Sequence, residues 1–144
     1  MRIAICATLT FMLAMNAPAL DMSAIEEEPN LEKRSEQALE FANSALDEAR
    51  DAYKEGRWEE TQSAMADIGA AVELSYQSLQ DTGKDPRKHS KYFKRAEKET
   101  RKLLRRLKSM RSSMSAVDFP VIDPVIETVK EINDDLVLGI MTGN

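Results

Sequence analysis

Residues 57–81 read RWEETQSAMADIGAAVELSYQSLQD, and their spacing decides the fold class. Trp58, Met65, Val72 and Leu79 fall at strict seven-residue intervals, with Thr61, Ile68 and Ser75 forming a companion row. Seven residues are close to two helical turns, so each row returns to one side of a helix and makes a coiled-coil-like seam, here partly polar. Gly56 precedes the stretch and Gly83 follows it, each a natural helix stop.

Working outward, Leu31 to Lys54 shows the same three- and four-residue rhythm in Leu31, Ala38, Leu39, Ala42, Ala45, Leu46, Ala49, Ala52 and Tyr53. Asn30 is a suitable N-cap for it. Downstream, Asp85-Pro86 supplies an N-cap followed by Pro at a first helical position, predicting a third helix to about Ala116. Tyr92, Phe93, Ala96, Leu103, Leu104, Leu107, Met110 and Met114 lie on its inner side. Asp118-Phe119-Pro120 interrupts, and Asp123-Pro124 repeats the start signal for a last helix ending near Gly143. That helix directs Val125, Ile126, Val129, Ile132, Leu136 and Ile140 inward. Three short connections between four amphipathic helices predict an all-α, antiparallel up-down-up-down four-helix bundle over residues 31–144. The Met and aromatic residues Trp58, Met65, Tyr92, Phe93, Met110 and Met114 are expected in its core.

The junction Ala49-x-x-Ala52-Tyr53-x-x-Gly56-x-Trp58-Glu59-Glu60-Thr61 resembles the helix-turn-helix of a tetratricopeptide repeat over about 20 residues. There a Gly closes the turn and an aromatic packs into the partner helix. Thr61 stands where that family has a small Ala, and no second copy of the motif follows. An ordinary αα-hairpin accounts for the same residues, so the family's peptide-binding role is not carried over.

The amino terminus has a different character. Arg2, the apolar run Ile3–Met15 and the small residues Ala17-x-Ala19 form the three parts of a secretory signal peptide, with cleavage expected after Ala19. The run is shorter than the roughly 20 residues a membrane span needs. Cys6, the only cysteine, would leave with residues 1–19, making the exported domain cysteine-free. Residues 20–30 read as a loose acidic leader, with Asp21, Glu26, Glu27 and Glu28, in which Pro29 limits any helix to a turn. The expected location is periplasmic or extracellular.

Composition leaves little room for catalysis. One Cys and one His among 144 residues cannot build a thiolate cluster or a multi-histidine metal site, so no metal or cofactor is expected. His89 reads most simply as an end-of-helix or partly buried imidazole. The rival reading pairs it with a Met inside the bundle, as haem- or small-ligand-binding bundles do. Ser109, Ser112, Ser113 and Ser115 cluster without a Gly-x-Ser-x-Gly turn and read as helix-surface residues. The protein is expected not to be an enzyme.

Charge carries the most functional information. Residues 20–82 balance to −11, residues 83–117 to +10 and residues 118–144 to −5, although the whole chain carries only −5. One helix is therefore basic among acidic companions. With Ala96 inward, Arg87, Lys91, Lys94, Lys98 and Arg105 point nearly straight out, with Arg101, Lys102 and Lys108 beside them. Lys88, Arg95 and Arg106 fall on the flank, within reach of acidic neighbours. The ridge is either neutralised inside the bundle or forms a site for an anionic partner: an acidic protein surface, an anionic lipid headgroup or an envelope polymer. Nucleic acid is disfavoured by export and by the lack of aromatic residues interleaved on that face. A second candidate surface is the apolar stretch 136–141, which wraps around its helix. Val137, Leu138 and Met141 are there either covered by the bundle end or available for a partner, including a second copy.

Overall fold

The computed structural model describes residues 21–143, so the expected signal segment 1–19 and Cys6 lie outside the described residues. Among the described residues all regular structure is helical. A short helix α1 (Met22–Glu26) precedes four long ones: α2 (Leu31–Lys54), α3 (Trp58–Asp81), α4 (Ser90–Ser113) and α5 (Phe119–Thr142). Each long helix has 24 residues. A 3-10 turn at Ala116–Asp118 joins α4 to α5. At the start of α2 the Asn30 side chain accepts from the Lys33 amide at 2.9 Å, as a capping Asn does. Gly56 and Gly83 close α2 and α3 with φ of 72° and 66°. That left-handed backbone costs glycine almost nothing.

The four long helices pack as a bundle. The seam expected in α3 is buried from Thr61 to Leu79, and α2 buries Ala38, Leu39, Ala42, Ala45, Leu46, Ala49 and Ala52 against it. Trp58 differs from expectation. It is 38% exposed, because it opens α3 at the end of the bundle, where the seam has run out. Polar residues inside the seam are satisfied. Ser35 and Ser75 share a hydrogen bond of 2.8 Å between α2 and α3, and Thr61 donates to the Arg57 carbonyl at 3.0 Å. Between α4 and α5, Asn133 donates to the Glu97 carbonyl at 2.9 Å and to Thr100 Oγ1 at 2.8 Å. No buried side-chain N or O among the described residues lacks a partner, as a well-formed interior requires.

Three boundaries depart from the sequence reading. Helix α4 begins at Ser90, not Pro86, because Pro86 is buried beside Gly139 of α5, where an added Cβ would lie 3.3 Å from the ring. Residues 86–88 form a turn instead, with the Arg87 amide donating to Asp85 Oδ1 at 2.9 Å. Helix α5 begins at Phe119, so Pro124 falls inside it. The bond that Pro124 cannot donate belongs to the carbonyl of exposed Pro120, close to the helix start, where the loss is small. The acidic leader is not loose. It forms α1, whose Ile25 is fully buried, and Arg34 Nε donates to the Glu28 carbonyl at 2.9 Å. The five residues of α1 end before Pro29, within the single turn the sequence allowed, but are too few to display a period that would mark Ile25 as buried.

Helix α2 packs most closely on α3 and α4 on α5, while α2 also meets α4 and α3 meets α5. Tyr53, at the end of α2, ties these pairs together. Its hydroxyl donates to Asp118 Oδ2 at 2.8 Å and accepts from the Ser115 amide at 2.9 Å.

Candidate functional site: a cationic ridge on α4

Helix α4 carries two stripes of the same period. Phe93, Ala96, Thr100, Leu103, Leu107 and Met110 are buried at alternating three- and four-residue steps, and Met114 continues the row just past the helix end. Lys91, Lys94, Lys98, Arg101, Arg105 and Lys108 alternate in the same steps and are all exposed. At 100° per residue the two stripes lie nearly opposite each other, so burying one necessarily presents the other. Lys102 widens the ridge, and Arg87 continues it from the turn that precedes the helix. From Lys91 to Lys108 the ridge runs about 26 Å at 1.5 Å per residue.

The flank of α4 behaves differently. Arg95 pairs with Glu36 of α2 at 2.8 Å. Arg106 donates to Asn43 Oδ1 at 2.8 Å and pairs with Asp47, while Arg50 of α2 returns a bond to the Arg106 carbonyl at 2.9 Å. At the far end Arg111 pairs with Asp123 at 2.5 Å, its guanidinium 3.7 Å from the Phe119 ring centroid. The hydrogen bond from Arg111 holds the Asp123 carboxyl below its ordinary range and raises the guanidinium in return. Lys88, expected on the flank, is exposed and without an ion pair among the described residues, because the turn at 86–88 takes it out of the helix.

The ridge takes almost no part in such pairing. Among the described residues Arg101 has one contact, to Glu97 at 3.5 Å on its own helix, and Lys91 lies 5.2 Å from the centroid of Tyr92. Arg87, Lys94, Lys98, Lys102, Arg105 and Lys108 form no ion pair there. The two groups of cations on α4 thus differ: Arg95 and Arg106 of the flank pair with α2, whereas the ridge is left to solvent. Like charges four residues apart, such as Lys94 with Lys98 and Arg101 with Arg105, cost a helix about 0.2–0.5 kcal/mol each. Folding alone therefore gains nothing from the ridge.

Between α2 and α4 a cleft of about 380 Å³ runs beside the ridge, its wall including Leu39 and Ala96 and its charges Glu36, Glu40, Arg95, Glu99 and Lys102. Its charges are mixed, and Arg95 and Glu36 already pair, so it adds little to anion recognition. The other candidates are placed as follows. His89 is exposed at the N-cap of α4, not among the interior Met65, Met110 and Met114 that the haem reading would use. Val137, Leu138 and Met141 are 37%, 59% and 71% exposed on α5, so the bundle end does not cover them. The hydroxyls of Ser112 and Ser113 bond to the carbonyls of Lys108 and Met110, one helical turn back. No group of His, Cys, Asp and Glu among the described residues could hold a metal ion, and no described helix is long and apolar enough to cross a membrane.

Comparisons with protein families, with curated proteins and with solved structures give no match. The fold and the site define a helical bundle with one cationic face.

Proposed function

We propose that the protein is a non-enzymatic interaction module that recognises an acidic partner through the α4 ridge. The observation that carries this reading is the division of α4: Arg95 and Arg106 are engaged with α2, whereas Lys94, Lys98, Lys102, Arg105 and Lys108 are exposed without ion-pair partners among the described residues. An acidic protein surface or acidic polymer fits better than a membrane, since the apolar face of α4 is already spent on the core. The reading includes export, with cleavage after Ala19, which places the partner outside the cytoplasm.

The proposed topology alternates direction from helix to helix, as a hairpin-by-hairpin chain does. The partners Glu36–Arg95 and Asp47–Arg106 advance together along α2 and α4, which supports placing these two neighbours parallel. Arg111–Asp123 and Glu97–Asn133 advance in opposite senses, which supports an antiparallel α4–α5 pair.

Calorimetric titration with poly-L-glutamate tests the function. Binding is expected near 0.1 M salt and lost near 1 M, where the screening length falls to about 3 Å. Changing Lys91, Lys94, Lys98 and Arg105 to Glu should abolish it, and unchanged binding by that variant refutes the reading. The exposure of Val137, Leu138 and Met141 favours a second reading, homodimerisation through the end of α5. Light scattering across a concentration series would then show a dimer that Leu138→Lys disrupts.

A further inference from the structure

Resting on the reading of the ridge as an anion-recognition surface, we propose that the acidic surface it fits is the α2–α3 face of a second copy of this chain, so that molecules associate head to tail. On that face Glu40, Glu48 and Asp67, with Asp21, line a groove of about 510 Å³. A further cleft of about 360 Å³ is lined by Glu48, Asp51, Glu60 and Asp67. Glu48 and Asp67 belong to both, so the two form one continuous trough between the helices. All six carboxylates are exposed. Only Glu60 is in an ion pair among the described residues, with Arg57, the one cation lining either cleft.

Two walls of like charge facing one trough disfavour the hairpin that makes them, as a row of unpaired cations disfavours α4. Each surface supplies what the other lacks. Glu40 to Asp51 spans about 17 Å of helix, the same rise as Lys91 to Lys102 on the ridge. Phe41, half-buried in the trough, offers an apolar surface on which lysine stems can lie while their ammonium groups reach the walls. Lys102 shares the α2–α4 cleft with Glu40, but Lys91, Lys94, Lys98 and Arg105 lie opposite the buried row of α4, so one molecule cannot close the whole contact on itself. The segment balances of −11 and +10 give successive copies nearly equal and opposite faces. Since the two faces differ, the contact is heterologous, and it propagates as an open chain instead of closing as a dimer.

The test is sedimentation and light scattering of the purified protein across a concentration series. At about 0.05 M salt the average mass should rise past that of a dimer without a plateau, and at about 1 M it should return to the monomer. Two charge-reversed variants follow: one with Lys91, Lys94, Lys98 and Arg105 changed to Glu, the other with Glu40, Glu48 and Asp67 changed to Lys. Each alone should remain monomeric, and an equimolar mixture should regain salt-sensitive assembly. Circular dichroism checks that both fold. If the fourfold change does not, K94Q/K98Q/R105Q replaces it and should lower assembly at low salt without altering helix content. A monomer at all concentrations, a mixture that stays monomeric, or a salt-insensitive dimer that Leu138→Lys disrupts would overturn the proposal. Binding of poly-L-glutamate by a protein that stays monomeric overturns self-recognition alone, whereas absence of both removes the ridge reading as well.

Discussion

Arg106→Gln and Lys98→Gln remove the same charge from the same helix, and the bundle assigns them opposite consequences. The Arg106 side chain is 23% exposed and donates to Asn43 Oδ1 at 2.8 Å and, more weakly, to the Asn43 carbonyl at 3.4 Å. It also pairs with Asp47, whose side chain is 65% exposed. A hydrogen bond to a charged group contributes about 1.5–3 kcal/mol net, the lower end applying to a side chain partly open to water, and a solvent-facing ion pair adds less than about 1 kcal/mol. Loss of Arg106 should therefore cost about 1.5 kcal/mol. With a urea slope of about 1.5 kcal/mol/M, the unfolding midpoint drops by about 1 M. Lys98 has no such partners and stands four residues from both Lys94 and Lys102. Its replacement should change stability by less than about 0.5 kcal/mol, in the stabilising direction if at all. Urea unfolding followed by circular dichroism measures both. Equal losses would show that ridge and flank are not distinct populations and would remove the basis for a partner surface on α4.

Ile25→Ala should cost about 2–4 kcal/mol in urea unfolding, because α1 is anchored by one fully buried side chain; a loss under about 0.5 kcal/mol would mean that α1 contributes nothing to stability. Ser35→Ala or Ser75→Ala alone should cost about 1–2 kcal/mol by stranding the other hydroxyl, while the double variant should cost less than the sum of the two. A double-mutant cycle that is simply additive would show that the pair is not coupled. The hydrogen bond from Arg111 holds the folded-state pKa of Asp123 below its ordinary 3.8, so its contribution is full above that value and is lost as pH falls below it through the lowered folded-state pKa. The gap in thermal midpoint between the wild type and Asp123→Asn should accordingly close as pH drops below about 4; a gap constant with pH would refute the assignment.

Much of this bundle was legible because helical period is a local property. The rows Met65–Val72–Leu79 and Thr61–Ile68–Ser75 are buried as their spacing requires, and the α2 stripe differs only in leaving Leu31 and Tyr53 half-covered. The start of α4 departs from its local signal for a physical reason. Asp85-Pro86 is a sound local start signal, but Pro86 is drawn into contact with Gly139, more than fifty residues away in the chain. Asn133 and Thr100 carry no apolar signal that marks them as interior, because polar side chains enter a core only where a specific partner waits, and each is the other's partner. The ridge itself has a signal that the segment balance understates: its cations keep the same alternating step as the buried row behind them.

The sequence by itself determined that four long helices form, which side of each is apolar, and that α4 presents cations opposite its buried face. Periodicity settles these because it needs no knowledge of neighbours. Only the tertiary structure decided which helix stands beside which. Placing α2 next to α4 brings Glu36 to Arg95 and Asp47 to Arg106, and it leaves Lys94, Lys98 and Arg105 without an ion pair among the described residues. A stripe records that it will be buried and not against what, so the division of α4 into paired and unpaired cations exists only once the bundle is assembled.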